Sequence, residues 1–482
     1  MATPTVSAGR LTMLLGDSPR RSPAYRGIAD GLRLLITDGR LALDTTLPSE
    51  RALTEALGVS RTTVAAAYGL LRERGYLTSR RGSGSRVTLP AGSRSRVGGP
   101  LVPTSPLADG AIDLTCAVMP TAPSAAEEAI DIAAEGVRSR LGGSGYDPQG
   151  LPELREALAE RYRSRGLPTT AEQIMVTTGA LGALAIVARG LLSTGDRVLT
   201  ENPTYPNAVA ALRGAGARVR PLPLDRHGWD ADALEVTLRQ VAPRVAYLLP
   251  DNQNPTGLLM GDDQRADIGR RLARAHTIGI VDETVVDFVL DGGPAPLPFA
   301  AHAPDTITIG SSSKTYWAGL RVGWLRADTE VMQRLGRARL SVDLGAPTFE
   351  QLVLLHLLTR HDHVVEERRR AARESRDALV GALRTHLPDW QFRLPAGGLS
   401  LWAELPATAS TALAVVAEDE GVHLAPGPTF AVDHGLDRFL RLPFPHAAPV
   451  MTEAVQRLAR AWPRALEQPT RAASTTRNAT VA

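Results

Sequence analysis

Of the 54 Lys and Arg residues in this 482-residue chain, one is lysine, Lys314. An arginine serves for solubility, ion pairing or phosphate contact, but its guanidinium does not give up a proton and condense with a carbonyl, as an amine does. A chance survivor of an Arg-rich composition is the bland alternative, so the neighbours decide. Lys314 stands in Ser311-Ser312-Ser313-Lys314-Thr315-Tyr316-Trp317-Ala318-Gly319-Leu320-Arg321, where Ser311 and Arg321 can give a hydroxyl and a fixed charge to one phosphate. Asp282 closes an apolar stretch, and a lone buried carboxylate there calls for a cation such as a protonated pyridine nitrogen. Asn254, in Asp251-Asn252-Gln253-Asn254-Pro255-Thr256-Gly257, can hold a phenolic oxygen or simply form an Asn-Pro turn. Gly179-Ala180-Leu181 opens an apolar helix whose free N–H groups and dipole suit a phosphate, although many helices begin this way without a ligand. Tyr205, beside prolines, can stack on an aromatic ring or pack a loop, and Arg441 can clamp a carboxylate or make a surface ion pair.

These residues need a frame. From about Ile112 onward helical stretches alternate with short apolar strands such as Val245 to Leu249, Ile278 to Val281 and Thr306 to Ile309. That pattern predicts an α/β domain with a largely parallel sheet, whose ligands lie at loops leaving the strand ends. The chain is too long for one core. A single cysteine, Cys116, excludes an intramolecular disulfide and a cysteine-based metal cluster, and no metal is expected. With no apolar run of membrane-spanning length and no signal-peptide pattern, a cytoplasmic location with no membrane partner is expected.

Charge divides the chain. Residues 1–100 hold 15 Arg against 7 Asp and Glu, or +8, and the remainder carries 39 bases against 44 acids, or −5. A basic front end suits a polyanion. There the sequence predicts a helix from Tyr25 to about Leu41, a second after Ser49 and a third after Ser60. Arg61, Thr62 and Thr63 fill the first turn of the third helix. Tyr76 to Val87 reads as a hairpin with a basic, glycine-rich tip. Two short helices across a tight turn, followed by a wing, describe a winged helix-turn-helix that reads double-stranded DNA. The expected organisation is a DNA-binding domain over 1–88 with its core from about residue 22, a linker over 89–112, a cofactor domain over 113–465 and a disordered tail over 466–482.

Leu47-Pro-Ser-Glu-Arg-Ala-Leu and Leu57-Gly-Val-Ser-Arg-Thr-Thr-Val resemble the GntR family of winged-helix regulators. The resemblance implies DNA contacts by Glu50, Arg51, Ser60, Arg61, Thr62, Thr63 and Gly82. In turn, Tyr146, Gly179, Tyr205, Asn254, Asp282, Lys314, Arg321 and Arg441, in that chain order, resemble the site of fold-type I aminotransferases that bind pyridoxal 5'-phosphate. It implies an internal aldimine on Lys314, a pyridinium held by Asp282, and a ring hydroxyl held by Asn254. Phosphate contacts then fall to Gly179, Ala180, Leu181, Ser311, Ser313 and Arg321, a ring contact to Tyr205, and an effector carboxylate to Arg441. Tyr146 would reach the partner's phosphate in a homodimer. The family's tyrosine just beyond the aspartate is replaced by Thr284 and Val285. Together the two parts resemble MocR/GabR-type transcriptional regulators. That resemblance implies a DNA operator with two half-sites, a small amino acid or amine effector, or the cofactor itself, as signal, and at most weak or half-reaction transaminase activity. A working aminotransferase with an accessory DNA-binding domain is the alternative.

Overall fold

The computed structural model describes residues 5–16, 18–20, 22–37, 41, 45–80, 84–88, 101, 109–121, 123–224, 228–292, 295–433 and 435–467. Gly82, most of the expected linker and the tail from residue 468 lie outside the described residues.

The N-terminal unit contains α1 (Ala8–Leu15), α2 (Ala24–Thr37), α3 (Glu50–Leu57), α4 (Arg61–Glu73), β1 (Leu77–Arg80) and β2 (Gly84–Val87). Each helix boundary has a local cause. The Ser49 hydroxyl accepts the Ala52 amide and starts α3, left-handed Gly58 ends it, and the Ser60 hydroxyl accepts the Thr63 amide to start α4. Ile28, Leu32, Leu53, Val64, Tyr68 and Leu71 form the core, and the Tyr68 hydroxyl donates to the Pro48 carbonyl at 3.0 Å. Helix α1, which the sequence reading omitted, adds buried Leu11 and Leu15, so this core begins before residue 22. Strands β1 and β2 pair antiparallel, forming the expected wing.

Leu101 exchanges two hydrogen bonds with the Asn207 side chain, at 2.6 and 2.8 Å. Beyond it β3 (Ile112–Leu114) opens the large unit, followed by α5 (Pro123–Arg138), α6 (Pro152–Ser164), β4 (Ile174–Thr177), α7 (Gly179–Leu191), β5 (Arg197–Asn202), α8 (Pro206–Gly214), β6 (Arg218–Pro223), α9 (Ala231–Val241) and β7 (Val245–Leu248). Next come α10 (Asp262–Arg274), β8 (Ile278–Asp282), α11 (Phe299–His302), β9 (Ile307–Ser311), β10 (Gly323–Arg326), α12 (Thr329–Arg339), α13 (Thr348–Thr359) and α14 (His361–His386). The chain closes with β11 (Gln391–Phe392), β12 (Ser400–Glu404), α15 (Ser410–Ala417), β13 (Val422–Pro426), β14 (Phe439–Pro443) and α16 (Ala448–Leu466).

Seven strands run in the order β4-β10-β9-β8-β7-β5-β6, all parallel except β10, which is antiparallel to both its neighbours. Alternate residues feed cores on the two faces: Val245, Tyr247 and Ile280 pack with α7 and α8, while Ala246, Leu248 and Val281 pack with α9 and α10. A second sheet, β11-β12-β14-β13-β3, packs with α14, α15 and α16. It draws its edge strand β3 from the far end of the sequence. Helix α14 joins the two parts, with Val364 in one core and Leu379 and Leu383 in the other.

Gly310 on β9 is required by packing. A Cβ there would lie 2.1 Å from the Trp324 ring, and the indole N–H donates to the Tyr162 hydroxyl at 3.1 Å, so the ring is not free to retreat. Gly310→Ala is expected to cost on the order of 1–3 kcal/mol by overpacking. An unchanged melting temperature would refute this.

Candidate cofactor site and DNA-reading face

The strand order gathers the candidate residues. Register aligns Thr177 and Ser311 with Gly323 across β4, β10 and β9. The loops that leave these strands therefore bring Gly179, Ser311 and Arg321 to one edge. Gly179 opens α7 with φ of 76°, and a Cβ on it would stand 2.7 Å from Arg321 Nη2. The Ser311 hydroxyl donates to Ser313 Oγ at 3.0 Å and accepts the Ser313 amide at 3.2 Å. Arg321 is exposed and makes no ion pair among the described residues. A helix N-terminus, hydroxyls and an unpaired guanidinium at a glycine cradle suit a phosphate.

Lys314 lies just past β9, half-buried, and its Nζ donates to the Ala117 carbonyl at 3.0 Å. Burial pushes its pKa down, with Arg441 and Arg321 adding to the shift and Cys116 and Asp282 opposing it. Its loop is held from behind. The Thr315 hydroxyl donates to Asp287 Oδ2 and Arg161 donates to Asp287 Oδ1, both at 2.6 Å, and the Tyr316 hydroxyl pairs with His361 Nδ1 at 2.7 Å. Although burial pushes Asp287 up, Arg161 and His361 hold it well below the usual carboxylate range. Arg368 on α14 donates to the Lys314 carbonyl at 3.1 Å and to the Met119 carbonyl at 3.2 Å.

Asp282 ends β8 with 5% exposure. Its Oδ2 accepts the Tyr247 hydroxyl at 2.6 Å, its Oδ1 accepts the Thr284 amide at 2.9 Å, and no cation pairs with it among the described residues. Burial raises its pKa, and the Tyr247 hydroxyl, the Thr284 amide and side chain and the nearby Lys314 pull it back. Asn254 is fixed by the preceding residue. The Gln253 amide donates to buried Glu201 at 3.0 Å and to the Pro203 carbonyl at 2.8 Å, and Gln253 Oε1 accepts the Thr256 hydroxyl at 2.7 Å. Glu201 also accepts Trp229 Nε1 and the Leu249 amide; burial pushes it up to about 7 against the pull of these donors.

Arg441 on β14 is 2% exposed, which rules out the surface ion pair. Its Nη1 donates to Asn254 Oδ1 at 3.2 Å, its Nη2 to the Thr115 carbonyl, and its guanidinium lies 4.6 Å from the Phe430 ring centre. The Nε has no hydrogen-bond partner among the described residues. Burial lowers its pKa to about 10. Tyr205, pushed up to about 12 by burial, lies within electrostatic reach of Asp282, Cys116, Arg441 and Arg321. One cleft thus holds Lys314, Asp282, Tyr205, Arg321 and Arg441. Tyr146 is 65% exposed on the loop before α6. Tyr247, the Ala117 carbonyl and Arg368 were missed by sequence reading. Tyr247 looks in sequence like one more apolar strand residue, and the β7–β8 pairing is what brings it to Asp282. A backbone carbonyl leaves no trace in sequence.

The cleft sets an acid with no ion pair among the described residues beside a glycine-lined edge that carries hydroxyls and a guanidinium, and a half-buried amine stands in the same cleft. These residues fit a phosphorylated pyridine aldehyde, which when bound supplies an electron-withdrawing ring and a carbonyl carbon for Lys314. At the other end of the chain, Arg61 and Thr62 are exposed on the first turn of α4. Ser60 Oγ lies 2.7 Å from Thr62 Oγ1 and 2.8 Å from Thr63 Oγ1, so these hydroxyls satisfy one another, whereas Arg61 makes no ion pair among the described residues. Arg51 pairs with Glu55 at 3.1 Å on the exposed side of α3, and Glu50 opens that helix.

Fold and site define a protein that joins a winged helix to a lysine-centred α/β cleft. Residues 107–458 match the family described as aminotransferase class I and II, and residues 24–87 match the bacterial regulatory proteins of the gntR family. The chain belongs to the aminotransferase class I and II family and carries a gntR-family domain in front of it, the arrangement of MocR-type regulators. It is 31% identical over 402 residues to the probable rhizopine catabolism regulatory protein MocR of Rhizobium meliloti, covering 78% of this chain and 80% of that one. An uncharacterized HTH-type transcriptional regulator of Bacillus subtilis, YisV, is 29% identical over 406 residues, covering 79% and 84%. Among solved structures, LysN, the alpha-aminoadipate aminotransferase of Thermus thermophilus, superposes with a TM-score of 0.69 at 31% identity, covering 75% of this chain and 94% of that one. Pyridoxal 5'-phosphate is the cofactor of this fold. No helix among the described residues is long and apolar enough to cross a membrane, and no described group of His, Cys, Asp or Glu could hold a metal.

The lowered pKa of Lys314 sets a pH dependence. A neutral amine attacks, so capture of pyridoxal phosphate is expected to speed up with pH and level off below the 10.5 of an ordinary lysine. A stopped-flow rate that is still climbing tenfold per unit beyond that value would contradict it.

Proposed function

We propose that the chain works as a homodimeric transcriptional regulator whose cleft carries pyridoxal phosphate on Lys314 and answers to a small amino acid, an amine or the cofactor itself. The observation that carries this reading is the bond from Lys314 Nζ to the Ala117 carbonyl. Residues 115–120 follow β3, the strand that the linker from the winged helix enters. The segment is gripped at Thr115 by Arg441 and at Met119 and Pro120 by Arg368, which also holds the Lys314 carbonyl. A carbonyl cofactor bound at Nζ would leave it at most one hydrogen and turn that hydrogen toward the ring, competing with the Ala117 bond, so the covalent state of the amine would bear directly on the root of the linker. In a dimer, this would alter how two winged helices sit on two half-sites. Tyr146, exposed on the loop before α6, supports a role at the partner's phosphate. Arg441, buried and without an ion pair among the described residues, supports capture of an effector carboxylate.

The test is a visible-absorbance titration of the full-length dimer with candidate amino acids and amines while operator affinity is followed. The spectrum and the affinity are expected to change together in wild type, with neither responding in Lys314→Ala. Arg441→Ala is expected to lose the response to carboxylate-bearing amines while keeping the cofactor. Sustained turnover of an amino donor and an oxo acid, with operator affinity indifferent to both, would favour the transaminase alternative.

For the DNA-reading face, exposed Arg61 at the start of α4 is the group suited to a guanine edge. Arg61→Ala is expected to weaken operator binding by about 1–3 kcal/mol. An unaltered footprint and affinity would reject α4 as the recognition helix.

A further inference from the structure

We propose that Tyr247 is a positioning residue for the cofactor, holding Asp282 in its anionic form and thereby setting the protonation of the ring nitrogen. This assignment rests on the cofactor reading above. Strands β7 and β8 are parallel with Tyr247 opposite Ile280, so Tyr247 and Asp282 share a face and the phenol leans along the strand to the carboxylate. The contact is short, 2.6 Å to Oδ2, and both residues are buried, Tyr247 at 1% exposure and Asp282 at 5%. Burial and the adjacent acid push the phenol's own pKa well up, so it stays a donor.

Thr284 also acts on the carboxylate, through its amide on Oδ1, which any residue at 284 supplies, and through its side chain. Among these donors the Tyr247 hydroxyl is the one that lowers the acid's pKa most. Each carboxylate oxygen accepts one bond and keeps a lone pair for a ring N–H. Loss of the phenol leaves a buried carboxylate that burial drives toward its neutral form, and a neutral acid does not hold a ring proton. Since Thr284 and Val285 stand where the family's ring-oxygen tyrosine would be, the nitrogen end of the ring carries more of the tuning here.

The test uses full-length Tyr247→Phe, loaded with pyridoxal phosphate, and reads the pH titration of the visible band at Lys314 together with cofactor affinity. An unprotonated ring withdraws less electron density from the Lys314 nitrogen, so the midpoint is expected to move up by about half a unit or more, with weaker cofactor binding. Asp282→Asn should shift it further in the same direction. The double variant should match Asp282→Asn alone, because the phenol acts through the acid. A lower melting temperature with an unmoved midpoint would make Tyr247 merely structural and overturn the assignment. No band in the wild type would overturn the cofactor reading itself, and this assignment with it.

Discussion

Asp282 and Arg441 are buried charges of opposite sign that share a cleft and do not pair with each other. Stranding such charges costs several kcal/mol each unless something compensates. Here the hydrogen-bonded compensation is partial and comes from neutral groups: the Tyr247 hydroxyl and the Thr284 amide for the acid, and the Thr115 carbonyl and Asn254 Oδ1 for the base, with Lys314 and Asp113 adding longer-range attraction. The rest of the fold keeps them apart. Asp282 is fixed at the end of β8 in the large sheet and Arg441 on β14 in the small one, and α14 runs between the two parts. A ligand with a ring cation at one end and a carboxylate at the other would relieve both. The strain of separation is thus stored as affinity for a particular pair of groups.

Much of this was legible before any coordinates. A unique amine, an acid closing an apolar strand and a glycine opening an apolar helix are local signatures, each tied to where its residue sits on an element, and the α/β alternation is a period that survives in one dimension. What was lost depends on register or on backbone. Tyr247 reads as one more apolar strand residue in Val245-Ala246-Tyr247-Leu248, and only the β7–β8 pairing puts it beside an acid 35 positions away. Ala117 acts through a carbonyl, which every residue has. Helix α1 has the right signals in Ser7, Leu11 and Leu15, but eight residues are too few for helical periodicity to stand out. Arg441 had looked equally suited to the surface, since sequence does not reveal that β14 is the central strand that buries it.

The DNA-reading end shows a division of labour that composition hides. Ser60, Thr62 and Thr63 look like a cluster of phosphate ligands, yet Ser60 is the N-cap of α4 and the threonine hydroxyls lean on it. Their first task is to start the helix at a fixed place. Phosphate contacts would then arise by sharing lone pairs already in use, which favours position over strength, while Arg61 keeps its five N–H donors free of any acid among the described residues.

The same logic bears on whether the cleft turns over or only binds. Catalysis by this kind of cofactor depends on both ends of its ring: a protonated nitrogen to draw electrons away, and a phenol at the ring oxygen to adjust the basicity of the lysine nitrogen. On the proposed roles this chain would keep the first through a buried acid with a buried phenol behind it, and it has Thr284 and Val285 where the second is expected. A site so arranged still attracts a ring, a phosphate and a carboxylate, because those contacts do not involve the missing tyrosine. On the proposed roles it would give up control over the amine that must be released at each turn. Binding energy would then be retained where turnover is impaired, and in a chain that carries a winged helix, retained binding is what a signal requires.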